Sequence, residues 1–121
     1  MHLPWAVTAG VTADRVFRFV DDTGDRVPVD SWVFAAAHWD RPGGTSSPLT
    51  VDVSQASVGE ITVTVDDAVS TSWSADRVWS LVATVAGEPA VAFGGPLLVA
   101  RLGARGRRGV PTVRTEVEVA L

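Results

Sequence analysis

The sequence predicts an all-β fold, a β-sandwich of about seven to eight short strands, from two observations. Apolar and polar residues alternate at period two in several segments, whereas a helical period of 3.6 is hard to find. Turn-forming residues separate these segments at short intervals along the 121 residues. A chain of this length is typical of one domain, and we expect neither a linker nor a second domain.

Three segments show the alternation of strands that are buried on one face only. In 61–65, an isoleucine and two valines alternate with threonines, and 49–53 repeats the pattern with leucine and valines. In 113–121, valines and a final leucine alternate with arginine and glutamates. Because successive side chains of a strand point to opposite faces, each segment presents one apolar face to a core.

Three other segments, 15–20, 31–39 and 78–85, are apolar on both faces, and we expect these strands to be more central. The segment 65–76 is rich in serine and threonine and predicts at most one or two helical turns. Asp66 and Asp67 begin it and are typical of a helix or turn N-cap. Seven or eight strands with turns between them are typical of an immunoglobulin-like β-sandwich.

The composition excludes several kinds of site and of segment. The chain contains no Cys, which rules out disulfides, thiolate metal sites and cysteine nucleophiles. All ten basic residues are Arg, which indicates a GC-rich coding genome. The first residues lack the basic region and the long apolar run of a signal peptide, and no apolar segment reaches the roughly twenty residues of a membrane-spanning helix. We therefore expect a soluble chain without membrane insertion.

Four aspartates lie within ten residues, at Asp21, Asp22, Asp25 and Asp30. Such a cluster is compatible with a cation site, with acid–base chemistry or with the solvated tip of a β-hairpin. Asp-Thr-Gly-Asp is typical of a turn, whereas the EF-hand pattern needs acidic residues at alternate positions before the glycine and a distal glutamate. Gly24 precedes Asp25 instead. We predict a hairpin tip that binds no metal.

Residues for catalysis are scarce, and we expect no enzyme and no cofactor. His38 stands beside Trp39 in an apolar strand, which is typical of a structural histidine. No Gly-x-Ser-x-Gly motif or comparable nucleophile motif is present. The segment GARGRRG lacks the Lys-Ser/Thr pair of a phosphate-binding loop.

We expect three segments: an N-terminal arm over 1–12, the sandwich over 13–100, and an Arg/Gly-rich loop with a C-terminal strand over 101–121, and charge separates the last from the other two. Residues 1–100 hold five Arg and twelve acidic residues, a net charge of −7, whereas residues 101–121 hold five Arg and two Glu, a net charge of +3. The acidic body disfavours nucleic-acid binding. The basic loop is complementary to an acidic face of a neighbouring subunit instead.

The candidate interface residues are Trp5 in the arm and four arginines of the Arg/Gly-rich loop, which we call the basic segment: Arg101, Arg105, Arg107 and Arg108. An apolar arm with a Trp either packs on its own domain or docks on a neighbour, and the sequence leaves both open. The alternating segment after the arginines needs a sheet to pair with, and we expect it to complete its own.

The order of these segments resembles a known family. It runs from RVFRFVDDTGDRVPVDSWVFAAAHW through a Pro/Gly loop and LTVDVSQASVGEITVTV to RVWSLVAT and GGPLLV. The pattern is similar to the immunoglobulin-like domain at the N-terminus of siphophage upper baseplate proteins and to related small minor tail proteins, over roughly Ala13 to Val99. Those baseplate proteins continue into a long coiled or receptor-facing part, whereas about twenty residues follow here.

The resemblance implies a structural virion protein of a tailed phage, a minor tail or tail-tip component that docks on other phage structural proteins. It implies several symmetry-related copies around the tail axis, a location in the virion tail and no nucleic-acid partner. One alternative is a capsid decoration or head-to-tail joining protein. A second is a cellular carbohydrate- or peptide-binding module, with Trp39 or Trp73 as an exposed platform.

Overall fold

The structure, a computed structural model, describes residues 1–101 and 111–121. The described residues form eight strands, one short α-helix and one 3₁₀ helix, which confirms the all-β class and the expected number of strands. The strands are β1 (Trp5–Ala9), β2 (Ala13–Val20), β3 (Val33–Trp39), β4 (Ser47–Asp52), β5 (Glu60–Val65), β6 (Arg77–Val85), β7 (Glu88–Arg101) and β8 (Val113–Ala120). The 3₁₀ helix spans Ala56–Val58, and α1 spans Asp67–Ser70.

The eight described strands form one curled mixed sheet in the order β1-β7-β6-β3-β4-β5-β2-β8. Strand β4 divides it, because the start of β4 pairs with β3 and its end, Thr50 to Asp52, pairs with β5. We call β1, β7, β6, β3 and the start of β4 the first half, and the rest the second half. Most pairs are antiparallel, but the two edge strands pair in parallel, β1 with β7 and β8 with β2.

The core lies inside the curl, where aromatic side chains of the two halves meet. Phe17 of β2 packs against Trp79 of β6 and Phe93 of β7, with ring centroids 6.2 and 5.5 Å apart. Phe19, two residues along the same face, lies 5.9 Å from Phe34 of β3. Such aromatic pairs add about 0.5–1.5 kcal/mol each beyond the burial of apolar area. These contacts hold the second half of the sheet against the first.

Strand β1 belongs to the predicted N-terminal arm, yet it is an integral edge of the sheet. Trp5, Val7 and Ala9 alternate as buried residues along its inner face. Ahead of β1, the amide of Leu3 donates to the carbonyl of Gly94 at 2.8 Å. This bond continues the parallel pairing with β7 towards the start of the chain.

Strand β8 forms the opposite edge and pairs with β2 along its whole length. Val119 is 3% exposed and joins the core, whereas Val113, at the other end of the strand, is 46% exposed. The expectation that the C-terminal segment completes its own sheet is confirmed.

Candidate interaction surface

The structure places Trp5 in the core of its own domain. Its indole is 3% exposed and meets the ring of Trp79 edge-on, with centroids 5.4 Å apart. A side chain this buried does not dock on a neighbour, so the assignment of Trp5 to an interface is corrected. The physical reason is period-two alternation, which turns Trp5 inwards once β1 has paired with β7.

Arg15 contacts both tryptophans and the start of the chain, a role that the sequence did not predict. It lies on the inner face of β2, with its guanidinium carbon 5.7 Å from each of the Trp5 and Trp79 rings. One Nη donates to the carbonyl of Pro4 at 2.9 Å, while Trp79 Nε1 donates to the carbonyl of Leu3 at 2.8 Å. Burial lowers the pKa of Arg15 from its ordinary value. Cation–π attraction and these bonds fasten the start of the chain to the core.

Of the four candidate arginines, Arg101 is described and exposed at the end of β7, opposite Ala9 of β1. Arg105, Arg107 and Arg108 lie outside the described residues. The description resumes at 111, and the amide of Val113 donates to the carbonyl of Thr12 at 2.9 Å.

The basic segment therefore starts and finishes at one end of the domain, beside the β1–β2 connection. Acidic residues also lie there: Asp67 begins α1, and its amide donates to Thr12 Oγ1 at 3.1 Å. Asp76 accepts a hydrogen bond from the amide of Val99, at 2.8 Å. Among the described residues, no carboxylate lies within ion-pair distance of Arg101, which leaves its charge available to a partner.

Asp21 and Asp25 form a turn, as predicted, but the turn is not the tip of a β-hairpin between β2 and the next strand, because β2 pairs with β5 and β8 whereas the next strand, β3, pairs with β4 and β6. Asp21 Oδ1 accepts hydrogen bonds from the amide and hydroxyl of Thr23, at 2.9 and 2.7 Å, and from the amide of Asp25 at 3.0 Å. Gly24 has a φ of 88°, a left-handed conformation that favours glycine. The hydrogen bond from the Thr23 side chain, followed by that from the Asp25 amide, lowers the pKa of Asp21. Metal binding by this turn stays a separate prediction.

His38 lies on the inner face of β3 and is 4% exposed. Arg77 Nε donates a hydrogen bond to His38 Nδ1 at 3.1 Å, and the Arg77 guanidinium carbon lies 4.8 Å from the centroid of the Trp73 ring. Burial first, and the charge of Arg77 second, lower the pKa of His38. The environment is that of a structural histidine, as the sequence indicated.

The two tryptophans considered as ligand platforms differ in exposure. Trp73 is 5% exposed and packs on His38, with ring centroids 4.9 Å apart, so it presents no platform. Trp39 is half-buried at the end of β3. Among the described residues, no group of three or more His, Asp or Glu side chains is arranged to hold a metal ion.

Comparison with known proteins identifies no family for the chain and a distant structural similarity to one protein. No family model and no curated protein matches the chain. The fold is distantly similar to part of the phospholipase PlaB from Legionella pneumophila, with a TM-score of 0.42 at 11% identity, over 91% of this chain and 25% of that one. The same protein in complex with thio-NAD gives a TM-score of 0.41 at 12% identity, over 91% and 26% of the two chains.

This chain thus spans about a quarter of the length of PlaB. A similarity of that degree supports no inference about activity. Separately, none of the helices among the described residues is long and apolar enough to cross a membrane.

Proposed function

We propose that this chain is a structural protein of a tailed-phage virion, a minor tail or tail-tip (baseplate-like) component that acts through protein–protein docking. In this proposal, several symmetry-related copies surround the tail axis and contact other phage structural proteins. The observation that carries it is the strand order within Ala13–Val99, the span of the resemblance to the baseplate immunoglobulin-like domain.

If β2 to β7 are taken as strands B to G of an immunoglobulin-like domain, the sheet neighbours correspond except where β3 pairs with β4, because strands C and D belong to different sheets of that domain. The row β4-β5-β2 corresponds to D-E-B, and the row β7-β6-β3 corresponds to G-F-C. The aromatic contacts from Phe17 and Phe19 across the core are those expected between the two layers of a sandwich. This correspondence supports a sandwich closed on one side by β4, with β1 and β8 as additional edge strands.

Charge supports docking through the basic segment. Residues 101–121 carry a net charge of +3 and residues 1–100 a net charge of −7, so a neighbouring copy or another acidic subunit attracts the arginines. Arginine binds carboxylates through two parallel hydrogen bonds, which adds orientation to attraction. The described residues on either side of these arginines lie at one end of the domain, because Arg101 pairs with Ala9 and the amide of Val113 donates to the carbonyl of Thr12.

The experiment replaces Arg105, Arg107 and Arg108 with Ser and measures incorporation of the chain into particles that lack the wild-type copy. A matched control replaces Arg26, Arg41 and Arg114, three exposed arginines outside the Arg/Gly-rich loop, with Ser, which removes the same charge. We expect the control variant to keep its free energy of unfolding within about 0.5 kcal/mol of wild type, because substitutions at exposed sites have small effects, and we predict the same for the first variant. Only the first variant should be lost from particles.

Equal incorporation of both variants would leave the basic segment without a docking role. Equal loss would indicate that net charge matters rather than the segment. A chain that enters heads but not tails would favour the capsid decoration or joining alternative.

A further inference from the structure

The outward face of the first half of the sheet carries no charged side chain among the described residues of its strands. Along β3 the outward residues are Val33, Ala35, Ala37 and Trp39, because Phe34 and its alternate neighbours point into the core. Val33 is 66% exposed, an unusual exposure for a valine in a strand next to the middle of a sheet.

The neighbouring strands continue this surface, which we call the neutral face. In β6 the outward residues are Val78, Ser80, Val82 and Thr84, which pair with the outward residues of β3. In β7, Leu98 is 43% exposed on the same face. A chain in which 20% of residues are charged would be expected to place several charges on a solvated surface of this extent.

The outward face of the second half, by contrast, carries charged and polar side chains, as expected of a surface in contact with solvent. Arg18 of β2 pairs with Glu60 of β5 at 3.1 Å and with Glu116 of β8. Asp14 accepts a hydrogen bond from Thr64 Oγ1 at 2.7 Å. The two outward faces differ in kind, so we infer that the neutral face is covered in the working protein.

We propose that a second copy of this chain covers the neutral face, in a symmetric face-to-face dimer. A symmetric contact brings the same surface from both partners, and a surface without charge meets itself without repulsion. The ion pairs of the second half lie on the other side of the core from this face, and salt screens charges at such separations. The net charge of −4 therefore opposes this approach only weakly.

The neutral face has both protruding and recessed parts, so it can pack against the same face of a second copy. Ala37, Ser80 and Gly94 are neighbours in register and form a row of small residues across the centre. Trp39 stands at the adjacent end of β3, and Val33 stands at the other end. Each copy thus provides both large side chains and a low row against which the partner's large side chains pack.

The size of the face is at the lower limit for a dimer. Five strands about 4.8 Å apart and about seven residues long give a face of roughly 24 by 23 Å, or about 550 Å². Two such faces bury at most about 1,100 Å² together, because the outside of a curled sheet is convex, and this upper bound is close to the roughly 1,000 Å² that a small specific interface needs. An interface at this lower limit is expected to be of micromolar rather than nanomolar affinity.

The test is sedimentation equilibrium of the purified full chain, which requires no virion and so fails or succeeds independently of the proposed function. At about 100 µM, well above a micromolar Kd, we expect a mass twice the 12.7 kDa of the chain. Val33→Glu and Ala35→Glu should each raise the Kd at least about tenfold, because each buries a charge without a partner in an uncharged interface. The matched control is Val53→Glu, at a valine that is 52% exposed outside the neutral face.

A monomeric wild-type chain at that concentration would overturn the proposal, as would equal weakening by Val53→Glu. A dimer that neither face variant weakens would place the contact on another surface and would also overturn it. Because the chain has no Cys, Ser80→Cys introduces a single thiol at the centre of the neutral face. A short bismaleimide should join two copies of this variant but not two copies of Ser57→Cys, at an exposed residue of the 3₁₀ helix.

Discussion

His38 illustrates how single residues of this fold depend on their partners. Its Nδ1 accepts a hydrogen bond from Arg77 Nε, so a proton on that nitrogen would both break the bond and repel the guanidinium. The strand places His38 inwards, and Trp73 covers it. Histidine in this position is an acceptor and is stable in the folded state only when neutral.

We predict that the folded chain loses stability as pH falls below 6.5, the ordinary pKa of histidine. Burial and Arg77 lower the pKa of folded His38, so between that lowered pKa and 6.5 the unfolded chain binds more protons. The contribution is complete above 6.5 and declines as pH falls through this window. Urea unfolding of wild type and of His38→Gln, which keeps an acceptor, should differ in pH dependence. Identical profiles would contradict this prediction.

Asp21 illustrates a carboxylate used to build a turn. Three of its accepted hydrogen bonds come from the turn itself, from Thr23 and Asp25. Its Oδ1 atom therefore accepts two backbone amides and one side-chain hydroxyl of the turn. Asp25 also belongs to the turn, since its Oδ2 accepts a hydrogen bond from Thr23 Oγ1 at 3.2 Å, and local turn chemistry accounts for these two aspartates of the cluster.

Added millimolar calcium should leave the melting temperature of the chain unchanged, if this turn binds no ion. A site with a Kd one hundred times below the added concentration would stabilise the fold by about 2.7 kcal/mol through mass action. Differential scanning calorimetry with and without calcium separates the two cases, with magnesium as a control for ionic strength. A rise in the melting temperature that is specific to calcium would contradict the prediction that this turn binds no ion.

At the scale of elements, edge strand β8 is joined to the domain by its pairing with β2 and by a few inward side chains. Val119 is 3% exposed beside Phe19, its register partner on β2. Thr115 lies on the same face of β8, where the strand is exposed. The strand is therefore anchored at its C-terminal end.

Val119→Asp should destabilise the isolated chain by about 3 kcal/mol or more, because it buries an unpaired charge. Thr115→Asp, four residues earlier on the same face, should change stability by no more than about 0.5 kcal/mol. Chemical denaturation of the two variants measures the difference. Similar small effects for both would mean that β8 is not part of the domain in solution.

Local periodicity was enough to identify most strands. The alternation in 61–65 and 113–121 corresponds to β5 and β8, and the two-sided apolar segments correspond to β2, β3 and β6. Residues 1–12 were predicted as an arm, whereas Trp5, Val7 and Ala9 alternate at period two on the inner face of β1.

Partner choice was not predictable in this way. The parallel pairing of β1 with β7 and of β8 with β2 depends on which edges remain open after the antiparallel strands have paired. The inward position of Arg15 was not predictable for a related reason. The Trp5 and Trp79 rings beside its guanidinium belong to two other strands, β1 and β6.

For the whole molecule, charge is arranged in three zones. Ion pairs cover the outward face of the second half, where Arg18 joins Glu60 and Glu116. The neutral face covers the other side, and the basic segment begins at one end with exposed Arg101. The uneven charge along the chain was visible in the sequence, but the neutral face was not, because apolar residues on both sides of β3 and β6 predicted central strands.

The proposed function requires that the protein be part of the particle. The most direct test is quantitative mass spectrometry of purified virions from the phage that encodes the chain, with heads and tails separated before measurement. A tail component should be present in a fixed number of copies per particle and should be recovered with the tails. Absence of the chain from purified virions, with ample chain in the infected cell, would contradict it and favour a cellular binding module.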